Sequence, residues 1–237
     1  MKISIAIPVY DGKLPIQTAA CLFEELALAR QSGDIVSIRF NPNCSNVVMG
    51  RNVLAQKFLD SGEDRLFFLD SDVTWKPGSI LRLCHLPVDF VGGAYRQKTD
   101  NEQYPVMWLD QPEVTGITLS DKSMLLDVGG LPGGFLSLSR DVFTRLEAAY
   151  PDRRMSHFED SFHAYFQMPY HHGLLWGEDS YFCHEWREIG GAIYLDPELE
   201  LAHWDFNKPY RGHIGNWLKK NGGVPRGTPL PKGAAKL

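Results

Sequence analysis

The 237-residue sequence predicts an α/β fold with an open, mostly parallel sheet flanked by helices, and three observations predict it. Strand-like and helix-like segments alternate through residues 1–92, the pattern of a parallel sheet with crossover helices. Arg65-Leu66-Phe67-Phe68-Leu69-Asp70 is a nearly continuous apolar run, which suits a strand covered on both faces. A hydrophobic content of 43% over this length suffices for one substantial core. One domain is therefore expected over 1–218, with a flexible tail over 219–237.

The elements follow in order. Ile3-Ser4-Ile5-Ala6-Ile7 alternates and is β-branched, so it reads as the first strand, ended by Pro8 and the turn at Asp11-Gly12. Ile16, Ala19, Ala20, Phe23, Leu26 and Ala27 recur at helical spacing up to Gln31, with Gly33 as the stop. A second strand is expected over 35–40, and Val47, Leu54, Ala55 and Phe58 form one face of a helix ending near Gly62. The third unit is the run 65–70, a helix started by Pro77 and reaching Leu86, and a strand over 88–91. After Gly92-Gly93 the pattern changes. Residues 104–109, 113–119 and 124–128 read as antiparallel strands, and 129–134 as a flexible glycine turn into a strand over 135–139. A helix is expected over 141–150, and 151–173, aromatic- and His-rich without period, reads as a functional loop. A helix over 178–188 stopped by Gly190-Gly191, and short strands over 192–195 and 199–202, complete the domain. The Lys-, Gly- and Pro-rich tail from Lys219 reads as mobile.

A formal charge of -5 provides no basic footprint for a nucleic-acid backbone, so nucleic acid is not an expected partner. A polyanionic ligand would need a bound cation to help neutralise it. Cys21, Cys44, Cys84 and Cys183 lack the spacing of a zinc knuckle or redox pair, so reduced thiols are expected. Residues 1–9 are too short for a signal-peptide core. No run approaches the roughly 20 apolar residues of a membrane helix. The expectation is a cytoplasmic protein without a membrane span.

Asp70-Ser71-Asp72 is the sharpest local feature. Two carboxylates closing a buried strand repel one another unless a cation or proton relieves them. Oxygen ligands of this kind favour magnesium, manganese or calcium, and the alternative is an acidic turn capping the next segment. Ligands of open α/β sheets bind outside the carboxyl ends of the strands, where this motif and Pro8-Val9-Tyr10-Asp11 both fall. His203 ends a predicted strand and is either a third ligand or a satisfied structural imidazole; mixed carboxylate and imidazole ligation leans towards Mn2+ over Mg2+. Glu178-Asp179 opens a helix, either as favourable charge for its dipole or as a general base for an attacking hydroxyl. Trp176, Tyr170 and Phe166 offer flat faces to a sugar ring or belong to the core. Arg51 either reaches a phosphate bidentately or is a solvated surface residue.

In order and spacing these segments resemble the family 2 glycosyltransferases and their GT-A relatives. The family's first-strand signature is similar to Pro8-Val9-Tyr10-Asp11, its Arg-Asn helix to Arg51-Asn52-Val53-Leu54-Ala55, and its Asp-x-Asp to Phe68-Leu69-Asp70-Ser71-Asp72. Its acceptor-side strand resembles 133–140 and its Glu-Asp helix 177–182, with Gly190 and His203 following in the expected order. The resemblance covers about 3–205. It implies a GT-A fold with a nucleotide-binding half at 1–92 and an acceptor-side half at 93–218. It also implies a transferase moving a sugar from a nucleoside diphosphate sugar, with a UDP-sugar favoured, to a saccharide or other hydroxyl acceptor. Pro8, Tyr10, Asp11, Arg51, Asp70 and Ser71 would hold the donor, and Asp70 would approach the ribose or the metal. Asp72 would bind the Mn2+ or Mg2+ that bridges the diphosphate, with His203 completing the site. Asp179, beside Glu178, would be the base of an inverting displacement.

Three departures keep alternatives open. Asp11 stands where the family often has Asn, and the loop 41–45 lacks the usual base-reading Asp, so GDP or another nucleotide stands beside UDP. The long C-terminal helices or membrane segments of many relatives are missing. His203-Trp204-Asp205-Phe206-Asn207-Lys208-Pro209-Tyr210 faintly echoes glycogenin-like retaining enzymes, in which case Lys208 would contact the diphosphate. A retaining transferase, a sugar nucleotidyltransferase and a non-catalytic sugar-binding protein are the competing readings.

Overall fold

The computed structural model describes residues 1–110, 115–119, 121, 123–157, 160–171 and 173–221. Its first half follows the local pattern closely. In β1 (Lys2–Val9) every residue from Ile3 to Ile7 is buried, since neighbouring strands and helices cover both faces. The helix α1 (Ile16–Ser32) stops at Gly33, whose φ of 79° suits a residue without Cβ and whose N–H returns to the last turn. β2 (Ile35–Pro42) pairs in parallel with β1. The N-terminus of α2 (Val47–Ser61) is capped by the Asn46 side chain, which accepts the Met49 N–H at 3.3 Å. β3 (Arg65–Leu69) is buried at all five positions, as its apolar run requires.

The next elements are β4 (Val73–Trp75), α3 (Ser79–His85), β5 (Phe90–Gly92), β6 (Gly116–Thr118), β7 (Met124–Asp127), β8 (Phe135–Ser139) and α4 (Arg140–Ala149). They are followed by β9 (Arg154–His157), β10 (Asp160–His163), β11 (Tyr170–His171), β12 (Leu174–Leu175), α5 (Glu178–Glu188), β13 (Tyr194–Leu195), β14 (Glu200–Asp205), β15 (Lys208–His213) and α6 (Ile214–Lys220). The main sheet has the order β2-β1-β3-β8-β5-β13-β7-β6. β2, β1, β3, β5 and β13 share one direction, and β8 and β7 run against them. The sheet is thus mostly parallel, with β8, from the second half of the chain, inserted between two strands of the first half. Apolar residues of α1 and α3 fill one side, and those of α2, α4, α5 and α6 fill the other.

Several expectations are corrected. Residues 104–109 form no strand; their one bridge, Met107 to Gly130, is all that the sheet accommodates there. The strand expected over 113–119 is only Gly116–Thr118, and 111–114 lie outside the described residues. The segment 151–173 contains the antiparallel pair β9 and β10, and also β11, which pairs with β12 just beyond it. Lys219 and Lys220 belong to α6, and 222–237 lie outside the described residues. The short strand β4 was not anticipated, and it forms a separate sheet with β14 and β15. Among the described residues no helix is long and apolar enough to cross a membrane.

Candidate active site

A cleft of about 330 Å³ opens at the carboxyl ends of β1 and β3 and brings together Pro8, Tyr10, Asp70, Ser71, Asp72 and His203. Cys44 and Ser45, from the loop after β2, also line it. Tyr10 is 72% exposed, a flat face presented to solvent at the rim. The meeting of residues so distant in sequence follows from register. β4 begins directly after Asp72 and pairs antiparallel with β14, with Val73 opposite His203. The Trp204 N–H then donates to the Asp72 carbonyl at 2.8 Å, and His203 Nε2 comes within 3.4 Å of Asp72 Oδ2.

The two imidazole nitrogens have different partners. Nδ1 lies 3.2 Å from the Arg96 carbonyl, which can only accept, so Nδ1 carries the proton. Nε2 is then the nitrogen that faces the Asp72 carboxylate: protonated it donates to it, and deprotonated it offers a lone pair beside it. A nitrogen lone pair and a carboxylate facing one another are two donors for one cation, and a backbone carbonyl on the far nitrogen is the usual support of a metal-binding histidine. The Tyr95 ring packs edge-on against His203 at 4.7 Å and steadies it. Lys98 Nζ, 2.6 Å from Asp72 Oδ2, is the cation at this carboxylate in the structure. Burial pushes the Asp72 carboxyl up, but His203 and Lys98 outweigh it and bring it down to about 2. Asp72 and His203 are two groups of the kind that hold a divalent cation. Among the described residues no third His, Cys, Asp or Glu joins them.

Asp70 has other partners than Asp72. Its Oδ1 accepts from Arg51 Nη2 at 2.8 Å and its Oδ2 from the Tyr95 hydroxyl at 3.0 Å. Both oxygens thus have partners on the wall of the cleft, which Asp70 lines together with Asp72 and His203. Arg51 is not a surface residue. It is buried, donates to the Gly133 carbonyl at 2.9 Å and to Glu178 Oε1 at 3.3 Å, and lies against the Phe68 ring. Burial pulls its pKa down, but Asp70 and then Glu178 carry it above the ordinary value. The glycines before β8 are explained by the same packing. A Cβ on Gly133 would meet the Arg51 guanidinium at 2.9 Å, and one on Gly134 would meet Asp70 Oδ2 at 2.2 Å. Close approach, not flexibility, requires them.

Asp179 stands at the first turn of α5, where Oδ2 accepts the Gly133 N–H at 3.1 Å and Oδ1 the Ser180 N–H at 2.7 Å. It borders the buried cluster and does not line the cleft. Asn52, beside Arg51, donates to the Phe166 carbonyl and accepts the Phe166 N–H, both at 2.9 Å. Phe166 itself stacks on Phe182 in the core, so it offers nothing to a sugar. Trp176 packs beside Tyr181 and His184, while Tyr170 is exposed. Asp11 pairs locally with Lys13 at 3.6 Å, and Lys208 is an exposed residue 3.4 Å from Asp100; neither lines the cleft. Tyr95 and Lys98 were missed by sequence reasoning. Tyr95 follows a short buried strand and carried a signal that was readable, whereas Lys98 sits in a polar loop that marks no residue above its neighbours.

No protein-family model matches this chain, and no curated protein matches it. Among solved structures it is similar to GalNAc-T7 with UDP, GalNAc and Mn2+, at 14% identity and a TM-score of 0.45 over 84% of this chain and 43% of that one. It is also similar to the Drosophila β-1,4-galactosyltransferase 7 in complex with manganese, UDP-Gal and xylobiose, at 13% identity and a TM-score of 0.47 over 96% and 76% of the two chains. A third is S. aureus TarS, at 14% identity and a TM-score of 0.42 over 89% and 60%. The chain spans less than half of the first of these proteins and three-fifths of the third.

Proposed function

We propose that this protein is a metal-dependent glycosyltransferase of the GT-A type, moving a sugar from a nucleoside diphosphate sugar to a hydroxyl acceptor. The observation that carries the reading is the Asp72 and His203 pair at the mouth of the cleft, with the imidazole tautomer set by the Arg96 carbonyl. Asp72 and His203 would hold Mn2+ or Mg2+, which when bound neutralises the charge of the leaving diphosphate. Tyr10 and Pro8 face the nucleoside, and Asp70, held by Arg51 and Tyr95, presents a carboxylate edge to a ribose hydroxyl. Lys98 is placed to exchange Asp72 for a diphosphate oxygen.

In the transfer the acceptor hydroxyl loses its proton to a carboxylate and its oxygen bonds to the anomeric carbon. The bond from that carbon to the diphosphate breaks, and the electron pair leaves with the diphosphate. Asp179 is the proposed base of an inverting reaction; the hydrogen bonds it accepts from Gly133 and Ser180 fix its carboxylate at the helix start. UDP-sugars are the proposed donors and saccharides the proposed acceptors. The test is turnover of UDP-sugars with Mn2+ by the wild type and Asp72→Ala. The reading expects loss of at least about 100-fold in the variant, and undiminished turnover would end it.

A further inference from the structure

A larger depression, of about 690 Å³, lies on the far side of the β4-β14-β15 sheet. Side chains alternate along a strand, so β14 turns His203 towards the cleft and Glu200, Ala202 and Trp204 to the opposite face. Pairing sets Thr74 and Arg211 on either side of Ala202 on that face. Gln17 from α1 and Asn216 from α6 close the two ends. The volume is within the roughly 300–1,000 Å³ of small-ligand sites.

We propose that this depression is a binding subsite for a neutral oligosaccharide, distinct from the cleft of Asp72. Its floor, Thr74 and Ala202, is small, and the half-buried indole of Trp204 borders it. The Trp204 Nε1–H already donates to Thr74 Oγ1 at 2.8 Å, and its backbone N–H to Asp72. The ring is therefore fixed with its polar group satisfied, and what it retains for a ligand is a rigid apolar surface, suited to the C–H face of a pyranose. Around it stand Gln17, Glu200, Arg211 and Asn216, whose side chains make no hydrogen bonds to other described residues. Two amides, a carboxylate and a guanidinium supply donors and acceptors together, the complement of a ring of hydroxyls. Glu200 stands against Arg211 and Lys76, which also lines the depression, so charges of both signs border it and no field of a single sign fills it.

The proposal is independent of the transfer reaction and is tested apart from it. Saturation-transfer NMR on the full chain, without metal or nucleotide, would use cellohexaose, xylohexaose, maltohexaose and chitohexaose as probes. At least one is expected to receive saturation from the wild type and equally from Asp72→Ala. Binding should weaken by about fivefold or more in Trp204→Ala and in the double variant Gln17→Ala/Arg211→Ala. The double variant touches only exposed or half-exposed side chains and decides the matter if Trp204→Ala fails to fold. Absence of transfer to all four probes overturns the proposal, as does undiminished transfer in the double variant. Loss in Asp72→Ala alone also overturns it, because the saccharide would then sit in the main cleft.

Discussion

Asp70 and Asp72 are two residues apart and live in different regions. Asp70 belongs to a buried polar cluster with Arg51, Tyr95 and Glu178, closed on the other side by Gly133 and Gly134. Asp72 stands at the cleft mouth with His203 and Lys98, each part-exposed and able to trade partners. The difference teaches that the two carboxylates of one short acidic motif are held in different ways: the first by a buried guanidinium and a buried phenol, the second by part-exposed side chains that can exchange it. Substitutions in the wall should cost stability, and substitutions at the mouth should cost binding.

The sharpest way to break this comparison is at Arg51. Arg51→Met leaves two carboxylates facing a buried site without their cation, and the expected loss is about 3–5 kcal/mol in urea unfolding. A variant within about 0.5 kcal/mol of the wild type would show that the cluster is not structural. Gly134→Ala comes next. Its Cβ would lie 2.2 Å from Asp70 Oδ2, so Asp70 or β8 must shift, at an expected cost of about 1–3 kcal/mol. Thermal unfolding of that variant checks it.

The smallest expected effect concerns acid stability. The folded Asp72 carboxyl is held at about 2, below its unfolded value of about 4. Its stabilising contribution is therefore complete above about pH 4 and disappears as pH falls through about 2. Asp72→Asn should be less stable than the wild type at pH 5 and converge with it towards pH 2, as read from urea midpoints. A constant difference across that range would mean that His203 and Lys98 do not hold the carboxylate.

The two regions also differ in how far the sequence revealed them. The cleft floor was legible because strand alternation and the buried run 65–69 are local signals, and in a parallel sheet they place Pro8 and Asp70 at the same edge. His203 was expected at the same sheet edge, but the pairing of β4 with β14 that brings it to Asp72 was not anticipated. The alternation of Val73-Thr74-Trp75 was a readable sign of that strand. The buried cluster was opaque. Arg51 reads as a solvent or phosphate residue until Asp70 and Glu178, 19 and 127 positions away, are seen to neutralise it. Likewise Gly133-Gly134 suggests a loose turn until the side chains packed against them are known.

The central claim, that Asp72 and His203 hold a divalent cation for a nucleotide ligand, is tested most directly by calorimetry of UDP binding with and without Mn2+. The account predicts UDP binding that requires Mn2+ in the wild type and is lost in Asp72→Ala, while the variant keeps its folded thermal transition. UDP binding of equal strength without the metal, or retained in full by Asp72→Ala, would contradict it.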